Sequence, residues 1–142
     1  MKKPLLAVFL TALIAIPLTA MDRSDISAEQ GVIDFSSVKL NDQDTLSLDG
    51  EWKFFWHEYI SPTGSAPRTA PINLKVRGTW KGALYEGKPL PADGWGSYEL
   101  LVFLPRHGDR LSLKVANIGT AYKLYANGTL IAQQGNPGTD AA

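Results

Sequence analysis

Short alternations of apolar and polar residues recur from Val32 to Gln133, divided by clusters of Gly, Pro, Asn and Asp. A period of two places successive side chains on opposite faces of a strand. In "EWKFFW" it gathers Trp52, Phe54 and Trp56 on one face and Glu51, Lys53 and Phe55 on the other. "INLKV" aligns Ile72, Leu74 and Val76, and "RLSLKV" aligns Leu111, Leu113 and Val115, so both predict half-buried strands. "GVIDF" and "TLSLDG" predict shorter ones. "SYELLVFL" predicts a strand with apolar residues on both faces, ended by Pro105.

The clearest pattern is "AYKLYANGTLIAQQG", because Asn127 and Gly128 both tolerate the positive φ that a two-residue type I′ turn demands. Such a turn sets Ala126 opposite Thr129, Tyr125 opposite Leu130 and Leu124 opposite Ile131, leaving large apolar groups on both faces of the ribbon. A lone hairpin cannot bury two faces, so further layers are expected. Outside the first 20 residues nothing shows the three-and-four spacing of an amphipathic helix. The fold class these strands predict is all-β, an antiparallel sandwich. "RGTWKGALYEGKPLPADGWG" is too rich in Gly and Pro for a regular element and reads as a long loop. Because "GNPGTDAA" follows directly on the last strand, the sandwich is expected to be incomplete at its C-terminus.

The start of the chain changes the compartment. "MKKPLLAVFLTALIAIPLTA" has two lysines, an apolar run and a small residue at Ala20, and it reads as a helical secretory signal over 1–20, or as an N-terminal anchor where uncleaved. A polar, flexible lead-in over 21–30 and one sandwich domain over 31–142 follow. Loss of Lys2 and Lys3 leaves a weakly acidic mature chain, ill suited to a phosphate backbone. The absence of cysteine excludes disulfides and thiolate metal sites.

Motifs of chemistry are sparse. Two histidines, His57 and His107, do not make a zinc site by themselves. His107 falls in the turn "PRHGD", and His57 reads as a strand-end residue. No "GxSxG" elbow occurs, and the "GxG" at Gly94 precedes a strand, not a helix. Asp49, Glu51, Glu58, Glu86, Asp93 and Glu99 are the acids from which a glycosidase pair would be drawn, yet Asp49 is explained by a turn and Glu51 and Glu99 by outward strand positions. "NDQD" lacks the glycine and distal glutamate of a calcium loop and reads as an acidic turn. "NGT" at Asn127 is formally a sequon, but the turn itself requires that Asn-Gly pair. No catalytic residue, metal site or cofactor is predicted. What remains is the aromatic loop. Trp80, Tyr85 and Trp95, with Tyr98 nearby, are suited to stack on the apolar face of a sugar ring, while Arg77, Asp93 and Asn117 bond its hydroxyls. The competing reading makes these rings caps for the open end of the sandwich, and near-complete burial of all three would favour it.

The phrases "LDGEWKFFW", "VRGTWKG", "GWGSYELLVFLP" and "LSLKVANIGTAYKLYANGTLIAQQGNPG", in this order and spacing, resemble the N-terminal extracellular domain of bacterial seven-transmembrane receptors with diverse intracellular signalling modules. The likeness runs from Gly31 to Gly138. It implies a jelly roll similar to galactose-binding domains, more distantly similar to the sugar-binding domain of family 2 glycoside hydrolases. It also implies a non-catalytic sensor, partnered in an intact receptor by a seven-helix membrane domain and a cytoplasmic signalling module. The chain departs from the pattern at Arg77, where the family carries proline, an exchange expected to loosen a turn and leave Trp80 in register. A secreted family 2 glycosidase fragment and a structural or protein-docking sandwich are the alternative readings.

Overall fold

A computed structural model describes residues 25–41, 43–61, 64, 66–105, 111–116 and 118–138. The predicted leader, His107 and Asn117 lie outside them. Among the described residues there are nine short strands and no α-helix, and no helix long and apolar enough to cross a membrane.

The aromatic strand is the centre. β2 (Gly50–Trp56) pairs antiparallel with β3 (Ile72–Val76) on one side and with β6 (Gly96–Glu99) on the other. Trp52 lies opposite Leu74, and Phe54 is flanked by Ile72 and Tyr98, so the alternation read from sequence sets one continuous apolar face. β1 (Val32–Asp34) runs parallel to β7 (Leu101–Phe103). "SYELLVFL" is therefore two strands, not one, changing partner at Leu100.

The residues before β1 explain that change. Ala28 N–H donates to the Asp49 carbonyl (2.8 Å), Glu51 N–H to the Ala28 carbonyl (2.7 Å) and Gly31 N–H to the Glu51 carbonyl (2.9 Å). The segment thus lies along the first half of β2, then crosses to β7 through Leu101 N–H to the Gly31 carbonyl (2.9 Å). Ala28 is only 2% exposed, so the described part of the lead-in is docked and not free as its polarity suggested. Gly50 permits the approach: at φ +122° it has no side chain where a Cβ would stand 2.3 Å from the Ala28 carbonyl oxygen.

Ala28, Ile33 and Phe35 form the buried core, covered by Ile26, Val38, Leu46, Leu48, Trp52, Leu100 and Val102. Leu46 and Leu48 point inward as their alternation predicts, but "TLSLDG" is not a strand before Gly50. The Trp52 indole N–H takes the Leu48 carbonyl (2.8 Å) and Ala28 takes the Asp49 carbonyl, so these acceptors are used outside a ladder. "RLSLKV" is a second correction. Residues 111–116 have no strand partner among the described residues, and Leu111 and Leu113 are exposed.

The Gly-rich loop is more regular than its composition suggested. β4 (Leu84–Tyr85) and β5 (Lys88–Pro89) form a small ribbon around Glu86 (φ 50°) and Gly87 (φ 76°), both left-handed as a type I′ turn requires. The predicted hairpin forms β8 (Tyr122–Ala126) and β9 (Thr129–Gln134) around Asn127 and Gly128, both at positive φ. Ala126 faces Thr129 and Tyr125 faces Leu130 as expected, but a bulge then sets Leu124 opposite Ala132 instead of Ile131. Tyr125, Leu130 and Ile131 are exposed. The architecture is all-β, built from open sheets of two or three strands.

Candidate ligand-binding site

The apolar face of β2 carries the rings. Phe54 is fully buried and meets Tyr98 from the neighbouring strand at 4.7 Å between centroids, while Trp80 stacks on it at 5.8 Å and 15°. Trp56 lies 6.0 Å from Trp80. From Trp56 a near-parallel column runs outward: His57 at 4.2 Å and 19°, Trp95 on His57 at 5.2 Å and 20°, and Tyr59 on Trp95 at 4.5 Å and 24°.

Local backbone chemistry builds this column. His57 adopts φ +52°, which ends β2, and its N–H donates to the Trp95 carbonyl at 3.1 Å, drawing the loop across. Gly94 and Gly96 bracket Trp95 for steric reasons. A Cβ on Gly94 would stand 2.0 Å from the Trp56 ring, and one on Gly96 would stand 2.6 Å from the Phe55 carbonyl oxygen. The "GWG" seats aromatic rings. Ser97 fixes the far side, its hydroxyl donating to the Glu58 carbonyl (2.7 Å) and accepting from Ile60 N–H (3.1 Å).

Glu58 is buried in the turn that follows. Its carboxylate accepts from Arg68 N–H (2.6 Å), Thr69 N–H (3.0 Å) and the Thr69 hydroxyl, and these donors, Arg68 first, hold its pKa below the ordinary glutamate value. Asp49 accepts the Arg77 guanidinium through Nε (2.6 Å) and Nη2 and the Ser47 hydroxyl (2.6 Å), which likewise hold its pKa low. Ser36 does the same for Asp34. All three are depressed in the folded state, so each contributes stability above the ordinary carboxylate pKa and loses it as pH falls through the folded value. Stability measured by urea unfolding should be level above about pH 5 and decline below about pH 4. A rise in stability on acidification would contradict these bonds.

The predicted residues divide into groups. Trp80 and Trp95 belong to one cluster, joined through Trp56. Asp93 is exposed beside Gly94, two residues before Trp95. Tyr85 stands on the β4–β5 ribbon and joins none of the ring pairs among the described residues. Arg77 forms an ion pair with Asp49. It follows Val76, which pairs with Gly50 at the far end of β2, about 20 Å along the strand from Trp56. Its φ of +76° is closed to proline. Asn117 lies outside the described residues. Trp56, His57 and Tyr59 are the members not singled out from the sequence; Trp56 was read as part of the aromatic face of its strand, and His57 and Tyr59 follow the strand without alternation to mark them.

An open concavity of about 760 Å³ lies elsewhere, lined by residues 36–41 and 104–105. It contains no aromatic ring, so the ring column is the stronger candidate for stacking. No known protein family, curated protein or solved structure matches the chain.

Proposed function

We propose that this chain is a non-catalytic, exported ligand-binding domain of a membrane sensor, holding a carbohydrate or similar small polar ligand against its aromatic column. One observation carries the reading: Trp80 and Trp95, chosen for stacking, fall in one continuous cluster and are only half-buried. The indole N–H of Trp80 is buried and has no acceptor among the described residues. Glu58 and Asp49 are unsuited to the part of a glycosidase acid, which requires a raised pKa, because fixed donors hold theirs low.

The leader motif supports export, and the ordered phrases from Gly31 to Gly138 support a jelly roll similar to galactose-binding domains and a place outside a seven-helix receptor. In such a receptor the ligand acts by binding one arrangement of the domain better than another, and the signal is no larger than that difference in affinity. The full chain titrated calorimetrically against a panel of simple glycosides tests the reading. Trp80→Ala and Trp95→Ala should each weaken binding by about tenfold, and Tyr85→Ala by far less. Equal binding by all variants would remove the cluster from consideration.

A further inference from the structure

Tyr59 is the outer end of the ring column. Its ring rests on Trp95 at 4.5 Å, it is 50% exposed, and its hydroxyl donates to the Gly138 carbonyl at 3.0 Å. The three rings beneath it are supported in turn: Trp95 by His57, His57 by Trp56, and Trp56 by Phe54 and Trp80. The turn that carries Tyr59 is fixed on either side, by the buried Glu58 and by Ile60 N–H to the Ser97 hydroxyl. An exposed tyrosine ordinarily samples several rotamers. This one is held by a ring at its face and an acceptor at its tip, so a ligand stacking on it meets little of the usual entropic cost of ordering.

We infer that Tyr59 is the ligand-contacting platform of the column, taking the apolar C–H face of a pyranose ring as the next member of the stack, with Trp95 as its support. The inference rests on the carbohydrate reading above and moves the contact from the predicted Trp95 to a residue the sequence did not mark. Among the described residues Trp95 already has two near-parallel neighbours, His57 and Tyr59, whereas Tyr59 has one. A pyranose suits this surface because its C–H face matches the negative face of a phenol ring. The hydroxyl of Tyr59 acts as a positioning group, since it is engaged by Gly138.

The test compares the full chain with Tyr59→Ala and Tyr59→Phe, using methyl β-galactoside, methyl β-glucoside and maltose as probes, with circular dichroism to verify folding. The wild-type chain should bind at least one probe, Tyr59→Ala should weaken it by about tenfold, and Tyr59→Phe, which keeps the ring, by about threefold or less. Wild-type binding with no loss in a folded Tyr59→Ala overturns the platform and leaves the carbohydrate reading standing. If the wild-type chain binds no probe, both fall. A loss in Tyr59→Phe as large as in Tyr59→Ala assigns the effect to the Gly138 tether and also overturns the stacking role.

Discussion

Replacement of Phe54 by alanine should lower the unfolding free energy by about 3–5 kcal/mol. Phe54 is fully buried at the centre of the three-stranded sheet, between Ile72 and Tyr98, and it touches Trp56, Trp80 and Tyr98. Removing its ring deletes a large apolar surface and leaves Trp80 without the face it stacks on. A domain of this size has about 5–15 kcal/mol in hand, so most of its stability is at stake. Urea unfolding followed by tryptophan fluorescence gives the value directly. Phe54→Leu should cost clearly less, and a loss below about 1 kcal/mol for alanine would mean that the cluster does not hold the sheet together.

The second large effect is expected at Gly50→Ala, about 3 kcal/mol. Strain from a side chain at φ +122° contributes about 1–3 kcal/mol. The new Cβ would also meet the Ala28 carbonyl oxygen and nitrogen at 2.3 and 2.4 Å, and backbone cannot move aside as a flexible side chain can. The paired bonds from Ala28 to Asp49 and from Glu51 to Ala28 should open, so amide exchange at Ala28 and Glu51 should accelerate far more than elsewhere. Gly87→Ala is the control. Its φ is also positive, but a Cβ there meets nothing within 4 Å, so about 1 kcal/mol is expected. Equal losses at both positions would contradict the docking of the lead-in.

What could be read in advance divides along physical lines. The Asn127-Gly128 turn and the faces of "EWKFFW" were legible because each is written in local residue chemistry, φ preference in one case and period two in the other. Pairing was not. Alternation says which face a side chain takes, and it is silent on whether a strand lies alongside, so "TLSLDG" and "RLSLKV" carried the pattern without the ladder. The change of partner at Leu100 depends on a distant segment and leaves no local mark, and neither does the bulge opposite Leu124. Of the ring cluster, Trp80 and Trp95 were legible because large rings in a Gly-rich loop are conspicuous. The Arg77–Asp49 pair left no local mark because the two residues lie 28 apart in sequence. Tyr59 was hidden for the reverse reason: only the meeting of two loops at the end of β2 makes its ring the last in a column.

The four tryptophans provide the most direct test of the central claim, that a ligand is held at the outer aromatic column. Their indole N–H resonances should be followed by nuclear magnetic resonance while the sugar that binds in the calorimetric panel is added. The Trp95 resonance should shift most and Trp80 measurably, while Trp52, whose N–H is bonded to the Leu48 carbonyl against the core, should stay in place. Saturation with all four resonances unmoved, or with Trp52 moving as far as Trp95, would contradict the account.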